Sequence, residues 1–182
     1  MRHIKIIKSI SLIIVLFLIT SCSNNSAMKP EDFKDKEPRL IIEEYLSGNV
    51  KAWGVLQNRS GKVTRQFSAD LNGSWDGKQL ILNEKFNWDD GEIQNREWTI
   101  NKIDEHNYEG TAGDVVGKAI GYSYGPAFKF EYVLLVPVKG KEMKITFDDW
   151  IFKQDDRVAI NRATMTKFGF KVAELTVVFV KD

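Results

Sequence analysis

Phe128-Lys129-Phe130-Glu131-Tyr132-Val133-Leu134-Leu135-Val136-Pro137-Val138 is the stretch that decides the fold class. Phe128, Phe130, Tyr132, Leu134, Val136 and Val138 occupy alternate positions, with Lys129, Glu131 and the following Lys139 in the opposite phase. A period of two puts those apolar side chains on one face of a β-strand, whereas a helix would scatter them around its circumference. After Lys139-Gly140 the pattern returns as Met143, Ile145, Phe147 and Ile151. Upstream, Leu80, Leu82, Phe86 and Trp88 share one face, with Ile81, Asn83, Lys85 and Asn87 on the other.

Turn signals separate these runs. Asn58-Arg59-Ser60-Gly61, Asp76-Gly77, Asp89-Asp90-Gly91, Asp104–Asn107, Gly125-Pro126, Lys139-Gly140, Gln154–Asp156 and Phe168-Gly169 punctuate the chain from Val50 onward. Asn-Gly and Asp-Gly pairs of this kind mark tight reversals. Counting the runs between them gives about nine or ten strands, the spacing of an up-and-down antiparallel barrel. Burial of the apolar rows at about 25 cal/mol per Å² drives closure, and closure removes unpaired edges. No βαβ alternation supports a parallel sheet. One short helix is expected over Arg39–Leu46, ended by Gly48. The expected domain therefore spans 39–182 and is all-β.

Before it, Met1–Lys8 is basic and Ile10–Ile19 is an apolar run too short to cross a bilayer. Leu18-Ile19-Thr20-Ser21-Cys22 has the form of a lipobox. Residues 1–21 are thus expected to be a cleaved lipoprotein signal, with Cys22 taking a diacylglyceryl group on sulfur and an acyl group on its new amine. Two or three such chains hold a protein on a membrane almost permanently. The polar segment up to Pro38 reads as a flexible tether, giving a lipidated tether over 22–38. Ser23 follows the cysteine where inner-membrane retention in enteric bacteria uses Asp, which points to the periplasmic face of the outer membrane.

Residues 1–21 carry Arg2, Lys5 and Lys8 and no acid, leaving three fewer than the chain's 26 basic side chains against 25 acidic ones, a net of −2. That balance offers no basic patch for phosphate and argues against a nucleic-acid partner. The only His outside the signal, His106, lies in a turn, and no nucleophile elbow accompanies it. Asp148 and Asp149 are adjacent on a strand and face opposite ways, while Asp89-Asp90 and Asp155-Asp156 lie in turns that favour Asp. Catalysis, a resident cofactor and a metal centre are therefore not expected.

Binding is the better reading. The chain has five Trp, eleven Phe and five Tyr, enough to pack a small barrel and to line a cavity in it. Trp53, Trp88 and Trp98 are candidates for such a lining. Gly113, Gly117, Gly121 and Gly125 recur every four residues and suggest a flexible flap, with Tyr122 and Tyr124 near one mouth. Four ionisable residues interrupt apolar rows: Glu84 between Leu82 and Phe86, Asp149 between Phe147 and Ile151, Arg96 before Trp98 and Ile100, and Arg162 between Ile160 and Thr164. Charges on an inward face either pair across the barrel or contact a ligand, unless the register turns them outward. Counting from the turn at Gln154–Asp156 makes Asp149 and Arg162 neighbours.

Trp53-Gly54-Val55, Asn58-Arg59-Ser60-Gly61, Asp89-Asp90-Gly91-Glu92, Gly110-Thr111-Ala112 with Asp114-Val115-Val116-Gly117, Phe147-Asp148-Asp149-Trp150 and Asn161-Arg162-Ala163-Thr164-Met165 together resemble domain of unknown function family 3833. The resemblance runs from Val50 to Lys181 and implies a small proteobacterial lipoprotein with a lipocalin-like barrel. It carries over no catalytic or binding residue. The expected function is a membrane-anchored barrel holding a lipophilic or amphiphilic small molecule; the alternative is a packed barrel that assembles with envelope partners through its loops.

Overall fold

The computed structural model describes residues 27–138 and 140–182. Ten antiparallel strands form a closed barrel: β1 Gly48–Asn58, β2 Val63–Trp75, β3 Gln79–Trp88, β4 Ile93–Lys102, β5 Asn107–Ala112, β6 Ala119–Tyr124, β7 Ala127–Val138, β8 Lys141–Lys153, β9 Val158–Lys167 and β10 Phe170–Lys181. Each strand pairs with its neighbours in sequence, and β1 pairs with β10 to close the ring. The expected all-β, up-and-down, lipocalin-like barrel is what forms. The expected signal (1–21) and Cys22 lie outside the described residues.

Asx chemistry turns the hairpins where the sequence signals it. Asp76 Oδ1 accepts from the amides of Lys78 (2.8 Å) and Gln79 (2.7 Å). Asp155 Oδ1 accepts from Arg157 (2.8 Å) and Val158 (2.7 Å). A short acceptor side chain thus replaces missing ladder partners at the reversal.

The interior follows the period-two rows. Val50, Ala52, Leu71, Leu80, Leu82, Trp98, Ile100, Tyr108, Phe128 and Phe130 are among the buried core residues. Outward positions include Lys51, Asp70, Asn72, Asn83, Lys85, Glu97, Glu131 and Arg162, all exposed. These polar positions alternate with the buried ones, as the period of two requires. Inward glycines make room for rings: a Cβ on Gly54 would stand 2.3 Å from Phe67 Cζ, and one on Gly110 2.4 Å from Phe130 Cζ. Phe67 lies across the glycine of the adjacent strand β1, and Phe130 of β7 reaches past β6 to the one on β5.

One end is plugged. Leu40, Ile42, Tyr45 and Leu46 are buried against the barrel floor. The helix expected over Arg39–Leu46 is shorter, a single turn α1 at Ile42–Tyr45. Its start is displaced because Leu40 is held in a different pattern, donating from N to Gly125 O (2.8 Å) and accepting at O from Ser123 Oγ (3.0 Å). Lys181 Nζ, from the last strand, donates to the carbonyls of Glu44 (2.6 Å), Tyr45 (2.9 Å) and Ser47 (2.8 Å), satisfying the C-terminal oxygens that a short helix leaves free. Buried Glu43 accepts from Lys102 Nζ (2.5 Å) and Tyr108 OH (2.9 Å), tying the plug to β4 and β5. A 3₁₀ turn at Pro30–Phe33 packs outside the barrel, Phe33 lying 6.0 Å from Trp150 and 5.5 Å from Phe152 between ring centroids. Among the described residues, the ten strands, the plug and the buried core all fall within 39–182.

Candidate functional site: an aromatic cavity with an acidic interior

The other end is open, and behind it lies a cavity of about 870 Å³. Ile42 and Leu46 of the plug form its floor, and Phe67, Phe86, Trp88, Trp98, Phe130 and Phe147 contribute most of its wall. The rings brace one another: Trp98 contacts Phe130 (5.2 Å between centroids) and Tyr132 (5.3 Å), and Tyr132 stacks on Phe147 (5.0 Å). The volume and lining are those of a small-molecule site, predominantly apolar with a few placed polar groups.

Those polar groups come from different strands. Glu84 on β3 stands opposite Arg96 on β4. Arg96 donates from Nε to Asp114 Oδ1 and Oδ2 (both 3.1 Å) and from Nη2 to Asp114 Oδ2 (2.8 Å). Its Nη1 lies 3.7 Å from Glu84 Oε2, and that oxygen is buried without a hydrogen-bond partner. On the facing wall, Asp149 of β8 accepts from Tyr132 OH at 2.9 Å and from Asn161 Nδ2 of β9.

Burial governs the electrostatics. It pushes the Glu84 carboxyl from the ordinary 4.5 up to about 7; Arg96 opposes the rise and Asp149 adds to it. Asp149 is also raised by burial, against the hydrogen bonds from Asn161 and Tyr132. The Tyr132 hydroxyl is pushed far above its usual range by burial and the nearby Asp149 charge. Burial opposes the charge on Arg96, but Glu84 and Asp114 outweigh it and hold the guanidinium above its usual value.

Of the residues expected to line a cavity, the structure places Glu84, Trp88, Arg96, Trp98 and Asp149 on it. Four others point elsewhere. Arg162 is on the outer face, its side chain 66% exposed and 3.7 Å from Glu174. The β8–β9 register pairs Trp150 with Arg162 and Asp149 with Ala163. The count from the turn was one residue out, and one residue turns a side chain through the sheet. Trp53 is 50% exposed on the outer face of β1, where the inward positions are the small Ala52 and Gly54. Tyr122 and Tyr124 alternate with the buried Gly121 and Ser123 and so face outward, and Tyr124 stacks on His106 (4.1 Å) near the plugged end. The flap expected over Gly113–Gly125 does not form: Ala119–Tyr124 is strand β6, and the β5–β6 loop before it is held along β7 by Val116 N to Val133 O (2.8 Å) and Leu135 N to Asp114 O (2.9 Å). Asp114 and Asn161, which complete the polar cluster, were not singled out from sequence. The one available signal was an acid between Gly113 and the apolar Val115-Val116.

No group of His, Cys, Asp and Glu suited to a metal ion occurs among the described residues. A separate depression of about 480 Å³ on the outside of β2–β4 is lined by polar and charged side chains such as Asp70, Asn72 and Lys85, and lacks the aromatic wall of the interior.

A single closed up-and-down ring, plugged at one end and open at the other, places the molecule among the lipocalin-like β-barrels. Among solved structures it is similar to the S-type phycobiliprotein lyase of Guillardia theta, at 10% identity over 77% of this chain and 90% of that one, with a TM-score of 0.58. It is also similar to a DUF3598 protein of unknown function from Nostoc punctiforme, at 15% identity and a TM-score of 0.60, covering 81% of this chain and 51% of that one. No curated protein matches the sequence. The chain belongs to the family described as protein of unknown function (DUF3833), which matches residues 16–181.

Proposed function

We propose that the protein is a lipid-anchored envelope component whose barrel holds a lipophilic or amphiphilic small molecule, and that it is a binding protein rather than an enzyme. One observation carries the binding reading: the aromatic-walled cavity of about 870 Å³, open at one end and polar at one place inside. A packed barrel would fill that space with side chains, as close packing favours. Mass spectrometry of what copurifies with the chain from Ser23 onward, exported to its own periplasm, tests it. A stoichiometric small molecule released on denaturation is expected, and a barrel recovered empty from every preparation would count against it.

The anchor is read from Leu18-Ile19-Thr20-Ser21-Cys22, and Ser23 favours the periplasmic face of the outer membrane. Cys22→Ser should abolish palmitate labelling and leave an uncleaved precursor. Labelling that persists in this variant would sink the lipoprotein reading.

A second reading, assembly with envelope partners through the loops, is favoured by the β9–β10 hairpin. Phe168 and Phe170 there are 89% and 73% exposed, and Phe168 adopts a φ of 51°. A bulky residue in left-handed backbone is uncommon, and exposed aromatic side chains suit a partner surface. Loss of a crosslinked envelope partner on Phe168→Ser/Phe170→Ser, with ligand content unchanged, would assign partner contact to the hairpin and leave the cavity its binding role.

A further inference from the structure

The charges inside the cavity do not balance, and the imbalance selects among amphiphiles. Four ionisable side chains from separate elements converge there: Glu84 from β3, Arg96 from β4, Asp114 from the β5–β6 loop and Asp149 from β8, beside Tyr132 of β7 and Asn161 of β9. In this inner cluster one cation thus faces three carboxyls, and the other cation on the cavity wall, Arg65 beside Trp88, is already paired with Asp90 (2.7 Å) and Glu92 (2.8 Å). The Arg96 guanidinium is already forked onto Asp114, with both Nε and Nη2 engaged. The Tyr132 hydroxyl and the Asn161 amide are spent on Asp149. Glu84 has the capacity left over, with Oε2 unbonded and Arg96 Nη1 at 3.7 Å, beyond hydrogen-bond range.

A carboxylate or phosphate head group entering this chamber would find its natural partner occupied and two acids nearby. Displacing Asp114 from Arg96 would leave that acid stranded in turn. A donor meets the opposite situation. An ammonium or hydroxyl can give the hydrogen bond that Glu84 lacks, and an ammonium also gains from ring faces such as Phe86, Trp98 and Phe130. We propose that the cavity takes amphiphiles whose head group donates hydrogen bonds, an amine in preference to an alcohol and an alcohol in preference to a carboxylate, with the head at Glu84 and the tail among the rings. This rests on the ligand-binding reading of the cavity.

The pH dependence has a definite sign. Glu84 must be ionised to pair with an ammonium, and its carboxyl titrates at about 7. Arg96, Asp114, Asp149 and Tyr132 face it from the neighbouring elements, and Arg96 keeps its charge throughout. Amine affinity therefore rises about tenfold from pH 6 to pH 8, as the ionised fraction of Glu84 grows. Affinity for the alcohol changes far less.

The test uses the chain from Ser23 onward and the neutral fluorescent probe N-phenyl-1-naphthylamine, displaced in turn by dodecylamine, dodecanol and dodecanoate below their aggregation limits. At pH 8 dodecylamine should compete at least about tenfold better than dodecanoate, with dodecanol between them. In Glu84→Gln the amine should fall to the level of the alcohol and its dependence on pH should vanish. Dodecanoate competing as well as dodecylamine would overturn the preference while leaving ligand binding intact. If the probe does not enter at all, the binding reading itself fails and the preference with it. Should Glu84→Gln not fold, the order of the three competitors on the unaltered protein still decides.

Discussion

Glu84 sits where a carboxylate is least welcome, and its effect on stability can be read from that. Its pKa is raised in the folded chain, so between about 4.5 and 7 the native state binds more protons than the unfolded one. Stability must then fall as pH rises through that window, by up to about 3 kcal/mol for a shift of this size. Asp149, also raised, acts in the same direction. Urea melts at pH 5 and pH 8 should show the loss in the unaltered protein and a smaller one in Glu84→Gln; equal losses would mean that Glu84 is not buried as described. At this scale the sequence was readable wherever an acid or Arg96 broke an alternating row. It failed at Arg162, because one residue of register separates the cavity from solvent. Asp114 and Asn161 were hidden for another reason: their partners, Arg96 and Asp149, are 18 and 12 residues away, and no local pattern encodes such a pairing.

Strands and hairpins are the elements most legible in advance, since the alternation and the Asx turns are local. The helix was less so. Leu40, Ile41, Glu43, Glu44 and Leu46 have helical spacing, yet Leu40 is captured by the β6–β7 turn and only one turn of helix survives. Trp53 was misplaced for a related reason. Strand β1 gives its inward positions to Ala52 and Gly54 so that Phe67 can lie across it, leaving the large ring outside. Gly54→Ala tests this packing. The added methyl would stand 2.3 Å from the Phe67 ring and must push it toward the cavity, for about 1–3 kcal/mol of destabilisation in a thermal melt. A neutral effect would show that the ring has room to retreat.

At the scale of the whole molecule, closure was foreseeable from the number and spacing of strands, but hollowness was not. A filled barrel and an open one share the same period-two rows. What separates them is how far the side chains from opposite walls reach, which depends on register and on the plug. Here Ile42 and Leu46 floor one end, and the rings line the wall without closing the other. Trp98, buried in that wall, and Trp53, half exposed outside, give the most direct measurement. Two variants, one keeping Trp98 alone and one keeping Trp53 alone, with Phe at the other four tryptophan positions, would be titrated with 12-bromododecanol, whose bromine quenches indole fluorescence on contact. A ligand cavity predicts saturable quenching of Trp98 with one-site stoichiometry and little change at Trp53. Quenching confined to Trp53, or none at Trp98 up to the solubility limit, would contradict it.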